Sequence, residues 1–484
     1  MQDEGLFQNG AVMSRRQMLR LAAGAAASLA LAACGGRQMG PGSAQGTPGA
    51  SPTQAVVEQP PKEGAITIIA TSQMPINTWK TALKEAQERY PDIRLKVTQT
   101  SIQGGWSAYA DKIITQIAGG EQLDVIMIAI EGLALLSSKR VLRPLDEFIQ
   151  ADSEAYDTLH NDIHKTLREM MQYEGKQMEF PFSWNNMVIY YNTKIFQEEG
   201  LKPPSPDWTW NDFLGVCKQV ANVRGTAKDR YAYSFWGAGM FGMCAWYFNN
   251  DTSSLTDDWQ DSNMLDPKVA ETLQFLVDLI RKHRVAPNPA GWDENAQFHA
   301  GHLVMRTCGR WCIGASLAEK FTSYDLQYQP HKSGPYKTVV GTDGWGIATM
   351  SQHPNEAWKA VKVLSGKTAS RAMVELGGNI PALRSVAEEP AFREYGPENT
   401  EIFYESLDYA RTVPSPPNFN IIEPILDRHY STIWNGQKTV QEAVKLAHQE
   451  LQAEMDKLKE ESRSWRVFAA STTRTCPCQE ARAQ

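Results

Sequence analysis

Ala65-Ile66-Thr67-Ile68-Ile69-Ala70 is a short apolar run of strand length, and the alternation that follows it decides the fold. Residues 78–90 carry apolar side chains at helical spacing (Trp79, Ala82, Leu83, Ala86), and Pro91 ends that pattern. Ile93, Leu95 and Val97 then alternate as in a half-buried strand. Tyr109, Ile113, Ile114 and Ile117 mark a second helix, stopped by Gly119-Gly120, and Asp124-Val125-Ile126-Met127-Ile128 reads as a third strand. Strand, helix, strand, helix, strand predicts an α/β chain whose mainly parallel sheet is covered by helices. In such sheets ligands sit beyond the carboxyl ends of the strands. The loops after Ala70, Gln99 and Ile128 are therefore the places to look for a site.

Downstream, helix starts are written in side chains that can cap. Thr209 with Asp212, and Thr439 with Glu442, have capping-box spacing. Asp266-Pro267 should cap and start a helix over 268–282, with Val269, Leu273, Leu276 and Ile280 on one face. The last helix carries Ala443, Leu446, Leu451, Met455 and Leu458. Beyond Arg466 the periodicity fades, so 467–484 reads as a disordered tail.

Upstream, the chain changes character. Ser14-Arg15-Arg16-Gln17-Met18-Leu19-Arg20 looks like a twin-arginine export signal. The Leu- and Ala-rich run from Met18 to Ala33 is shorter than the roughly 20 apolar residues of a spanning helix and reads as the core of a signal peptide over 1–33. Leu31-Ala32-Ala33-Cys34 resembles a lipobox, in which Cys34 is acylated and starts the mature chain. Acidic Asp3 and Glu4 do not suit such a leader, which makes Met13 the expected start. Residues 34–62, rich in Gly, Pro, Ser, Ala and Gln, read as a flexible tether. The expected location is extracytoplasmic, lipid-anchored to the cell membrane.

The 484 residues carry a net charge of −7, which offers nucleic acid no electrostatic attraction. Cys308 and Cys312 lie four apart, with His299 and His302 upstream. No structural-zinc spacing is present, and core cysteines or a local disulfide both suit the pattern. Cys217 and Cys244 stand apart, and Cys476 and Cys478 lie in the tail. No Gly-x-Ser-x-Gly elbow, phosphate-binding Gly-Lys-Ser/Thr loop or His-Glu-x-x-His is present, so no catalytic residue, metal or cofactor is nominated.

Tryptophan is the unusual feature. Trp106, Trp184, Trp236, Trp292, Trp311 and Trp345 lie between elements or beside glycine, with Asn, Asp or Glu nearby. Flat indole faces suit the C–H face of a sugar ring, while amides and carboxylates take its hydroxyls. Trp79, Trp358, Trp434 and Trp465 sit in helical patterns and read as core.

Phe180-Pro181-Phe182 followed by 188–196 (Val-Ile-Tyr-Tyr-Asn-Thr-Lys-Ile-Phe) and Gly200-Leu201 resembles a segment of the sugar-binding proteins of ATP-driven importers. So do Thr209-Trp210-Asn211-Asp212-Phe213, Phe298-His299-Ala300-Gly301 with Met305 and Gly309-Arg310-Trp311, then Gly344-Trp345-Gly346, Asn355-Glu356-Ala357-Trp358 and Gly378-Asn379-Ile380-Pro381. The likeness spans roughly residues 64 to 460 of the chain. It implies the two-lobed periplasmic-binding-protein fold (type II), maltose-binding-protein-like, each lobe discontinuous: 63–183 with 342–387, and 184–341 with 388–466. By the same resemblance Gln73, Trp106 and Glu131 would face ligand from the first lobe, and Asn185 and Asn186 from the hinge. Trp345 would stand at the other crossover, and Trp236, Trp311 and either Asn420 or Glu423 would come from the second lobe. Maltose-binding members often carry an acidic residue where this chain has Asn185.

The implied function is capture of a carbohydrate or polyol in the cleft between the lobes, hinge closure, and delivery by a monomer to the membrane subunits of an ABC permease. That cleft should be the largest pocket. An extracellular carbohydrate-active enzyme and a sensor-input lipoprotein are the rival readings. Ferric-ion-binding relatives use adjacent tyrosines, but Tyr190-Tyr191 follows Val188-Ile189 in an apolar strand.

Overall fold

The computed structural model describes residues 54–55, 65–72, 76–102, 104–224, 230–289, 291 and 293–472. The leader, Cys34, Gln73, Trp292, Cys476 and Cys478 lie outside them. The opening alternation folds as expected: strands Ala65–Thr71, Arg94–Thr100 and Val125–Ala129 are separated by helices Ile76–Arg89 and Gly105–Ala118. Ala65–Thr71 pairs in parallel with both of the other strands. Ile66, Ile68, Val97, Val125, Ile126 and Ile128 are buried beneath Trp79, Ala82, Tyr109 and Ile113 of the helices.

These strands form part of a nine-stranded sheet among the described residues, and a four-stranded sheet holds Tyr231–Ser234, Leu303–Cys308, Val188–Asn192 and Tyr324–Gln327. The chain leaves the first sheet with Phe180–Asn186 and enters the second with Val188–Asn192, only Met187 between them. It returns along the eleven-residue strand Thr338–Ala348.

Both sheets are mixed, which corrects the expectation of mainly parallel ones. Thr338–Ala348 runs antiparallel to Val125–Ala129 and to Phe180–Asn186. In the second sheet, among the described residues, Tyr231–Ser234 with Leu303–Cys308 is parallel and the other pairings are antiparallel. The reason is topological. A parallel neighbour needs a crossover helix to bring the chain back, whereas strands arriving from the other sheet enter against the local direction without one.

Two further boundaries differ. Gln54–Ala55, inside the expected tether, pairs antiparallel with Gln99 and Thr98 at the sheet edge. The terminal helix runs from Val440 to Thr472, past the expected fraying point, and residues 473–484 lie outside the described set. The caps form as read: Asp212 accepts from the Thr209 amide at 2.9 Å, Asp266 from the Lys268 amide at 3.0 Å, and Glu442 from the Thr439 amide at 2.9 Å. Cys308 and Cys312 form a disulfide, while Cys217 and Cys244 are buried free thiols. Among the described residues no helix is long and apolar enough to cross a membrane.

Candidate functional site

The strands that join the two sheets place the first polar groups. In Phe180–Asn186 every residue is buried, and successive side chains point to opposite faces. Asn185 lies opposite Gly341 of the returning strand. It is 8% exposed, and its Oδ1 has no hydrogen-bond partner among the described residues. Asn186 faces the other way. Its Nδ2 donates to the Phe403 carbonyl at 3.0 Å and to Ser406 Oγ, which anchors the amide nitrogen internally, while its Oδ1, like that of Asn185, has no partner among the described residues.

An aromatic wall lies against this point. A side chain at Gly341 would meet the Phe241 ring at 2.8 Å, so only glycine lets Phe241 lie on the returning strand. Phe241 reaches Trp311 (centroids 6.1 Å), and Trp311 reaches Trp236 at 5.4 Å and 38°. Trp236 is 40% exposed and Trp311 is partly buried, so both keep apolar face available.

Acidic side chains follow on the neighbouring elements. Glu131 opens the helix Ile130–Ser138, directly after the strand Val125–Ala129, at the sheet end where ligands were expected. It is 6% exposed, and its Oε2 is unpartnered among the described residues. Burial pushes its carboxyl up to about 8, with Glu423 and Asp343 adding repulsion. Glu423, on the helix Phe419–Trp434, accepts from Ser107 Oγ and from the Met240 amide at 3.2 Å. Burial, then Asp427, pushes it up to about 7. Asn420, one turn earlier, donates to Asp111 at 2.7 Å. Trp106 packs edge-on to Tyr109 at 5.4 Å, next to Ser107.

Asp343 completes the group and was not anticipated. It accepts from Ser183 Oγ at 2.7 and 2.8 Å and from Asn379 Nδ2 at 3.1 Å, and burial still pushes it up to about 7. Its signal was present in sequence: a carboxylate within Val339-Val340-Gly341-Thr342-Asp343-Gly344-Trp345 has no place in an apolar strand without a task. Phe241 and Ser107 carried no comparable signal.

Trp345 corrects the reading from glycine. It is fully buried, edge-on to Trp79 at 5.2 Å and near Phe182. A side chain at neighbouring Gly344 would meet the Phe180 carbonyl at 2.6 Å, so that glycine serves close strand approach rather than an open loop. Trp184 is likewise core, against Tyr404. Tyr190 spends its hydroxyl on the Gly309 carbonyl at 2.7 Å. A cavity of about 540 Å³ lies elsewhere, lined by Trp210, Phe275, Glu271 and Lys332 and by none of the expected tryptophans.

The strands that join the two sheets thus carry an aromatic pair beside them and buried acceptors that have no partner among the described residues. The family described as bacterial extracellular solute-binding protein matches residues 81–398. An ABC substrate-binding protein from Listeria monocytogenes in complex with cycloalternan superposes with a TM-score of 0.72 at 23% identity, over 81% of this chain and 99% of that one. A solute-binding protein of Thermotoga lettingae bound to α-D-tagatose gives 0.71 at 22%, over 81% and 100%. Among sequences, the arabinooligosaccharide-binding protein of Halalkalibacterium halodurans is 24% identical over 58% of this chain and 66% of its own. These likenesses show the two-lobed solute-binding fold.

Proposed function

The chain belongs to the family of bacterial extracellular solute-binding proteins, and from that premise we propose that it is the lipid-anchored receptor of an ABC importer for a carbohydrate or polyol. The observation that carries this is the Trp236–Trp311 wall near the strands that join the sheets, where Asn185 Oδ1 and Glu131 Oε2 lack partners among the described residues. Buried polar atoms are ordinarily hydrogen-bonded, and a hydroxylated ring with one apolar face satisfies both features at once.

On this reading the lobes are 63–183 with 342–387 and 184–341 with 388–466, and the cleft is lined by Trp106, Glu131, Asn185, Trp236, Trp311, Asn420 and Glu423. Ligand draws the lobes together about the hinge, and the closed form docks on the permease. Cys34 carries the lipid after twin-arginine export. The protein binds and releases its ligand unchanged.

A thermal-shift screen of mono- and oligosaccharides, polyols and glycerol phosphodiesters tests this. At least one saccharide or polyol should raise the melting temperature in a dose-dependent way. No stabilisation by any of them overturns the reading, and turnover of a chromogenic glycoside would favour an enzyme.

A further inference from the structure

We infer that the Cys308–Cys312 disulfide, with Arg310 inside its loop, is a positioning device that holds the indole of Trp311 ready to stack on the ligand. The inference rests on the carbohydrate reading above and gives the bridge a task in binding.

The bridge joins the end of the strand Leu303–Cys308 to the start of the helix Cys312–Ala318. That strand is the parallel neighbour of Tyr231–Ser234. Trp236 and Trp311 follow these two strands, so they leave the sheet at the same end and meet with ring centroids 5.4 Å apart. The Trp311 indole folds back over its own loop: a Cβ at Gly309 would come within 2.0 Å of the ring, so only glycine allows this seat. Tyr190 donates its hydroxyl hydrogen to the Gly309 carbonyl at 2.7 Å. The Cys312 and Ile313 amides donate to the Gly309 and Arg310 carbonyls at 3.2 and 2.8 Å. Arg310 is fully buried. It donates to the Gly378 and Asn379 carbonyls at 2.6 and 3.2 Å, and its guanidinium lies 4.6 Å from the Phe392 ring centroid. The Gly314 amide donates to the Gly377 carbonyl at 3.0 Å, close enough that a Cβ at Gly377 would meet the Gly314 nitrogen at 2.6 Å.

The loop is thus pinned at both ends by the bridge and in its middle by Arg310, while Trp311 stays partly exposed beside Trp236. A contact group ordered in advance loses less freedom when ligand arrives, and binding is tighter for it. Global stability explains the bridge less well. A disulfide constrains the unfolded chain more the longer the loop it closes, and this one spans a sequence separation of 4 in a chain with an extensive apolar core. A redox switch fits less well too: Cys308 and Cys312 are 1% and 5% exposed, whereas labile bridges are exposed or strained.

Fluorine NMR and calorimetry on the mature protein test this together. In protein labelled with fluorotryptophan, the Trp311 line is assigned by its loss in Trp311→Phe. Replacing both cysteines, Cys308→Ala with Cys312→Ala, should broaden or split that line and leave the line of the core residue Trp345 unchanged. Maltotriose, arabinotriose and mannitol serve as calorimetric probes, and those that bind should bind about five- to tenfold more weakly to the double variant. With Trp311→Ala already present, removing the bridge should change affinity by less than about twofold, because the residue through which it acts is gone. A merely structural bridge would cost the same factor in both backgrounds. An unmoved Trp311 line, unchanged affinity, or an equal loss with and without Trp311 overturns the inference. If the alanine pair does not fold, dithiothreitol opens the bridge in the unaltered chain for the same readouts. Each Cys sulfur then gains a proton and an electron while the reagent's two thiols close to a cyclic disulfide. Failure of all three probes to bind the unaltered protein counts against the proposed function, and the Trp311 line then decides on the bridge.

Discussion

The Ser107 hydroxyl donates its hydrogen to the Glu423 carboxylate, joining the helix after the second strand to the helix Phe419–Trp434. Asn420 and Asp111 repeat the link at 2.7 Å. If the lobes are divided as proposed, both contacts cross the cleft and hold it shut. Ser107→Ala with Asn420→Ala should then open the unliganded protein. Small-angle scattering should show a larger radius of gyration, and ligand affinity should fall by about three- to tenfold for the loss of two modest hydrogen bonds. An unchanged radius and affinity would place these contacts outside the closing motion.

Two tryptophans separated by structure should behave differently. Trp345→Ala removes a fully buried ring packed on Trp79 and should cost about 3–5 kcal/mol of stability. Trp311→Ala removes a partly exposed wall residue, so denaturant unfolding should move by less than about half of that. Its effect should appear in binding, where every accepted sugar weakens by roughly 1–3 kcal/mol of lost apolar burial.

The contrast shows how far residues alone could be read. The alternating elements of 65–129 were legible because apolar period records local conformation. Strand direction was not, since Thr338–Ala348 pairs with segments over a hundred and fifty residues away in sequence, and nothing local encodes that partner. Glycine beside tryptophan was ambiguous for a physical reason: it can open a loop or let two strands approach closely, and at Gly344 it does the latter. Asn185 and Asn186 were read as a pair, yet the strand's alternation sends them to opposite faces.

Stability should depend on pH in a definite direction. Glu131 rises from the ordinary 4.5 to about 8, and Asp343 and Glu423 rise to about 7. Between the unfolded and folded values the native state binds more protons than the unfolded chain, so stability falls as pH rises. The unliganded protein should melt at lower temperature at about pH 8.5 than at about pH 6, and Glu131→Gln should flatten that slope. A melting temperature that climbs across this range would contradict the buried carboxyls.

Processing at Cys34 is testable without structure. Mass spectrometry of native membranes should find the acylated cysteine as the first residue, and Cys34→Ala should release the protein from the membrane. Replacing Arg15 and Arg16 by lysine should block export, because the twin-arginine route reads that pair. An intact leader on the mature protein would rule this out.

Selectivity should divide along the chemistry of the site. Stacking on Trp236 and Trp311 supplies affinity for almost any pyranose or polyol face, so losing it weakens all ligands alike. A hydroxyl-directed acceptor discriminates, because a ligand with the wrong stereochemistry leaves a buried polar atom unpaired. Asn185 Oδ1 is such an acceptor: it is buried, lies opposite Gly341 of the returning strand and lacks a partner among the described residues. Asn185→Ala should therefore change the ranking among epimeric sugars, costing the preferred epimer about 1–3 kcal/mol and the disfavoured ones much less. Calorimetric titration of Asn185→Ala and Trp311→Ala against the same epimer series separates the two roles. Equal losses for every epimer in Asn185→Ala would show that this amide supports the hinge rather than reading the ligand.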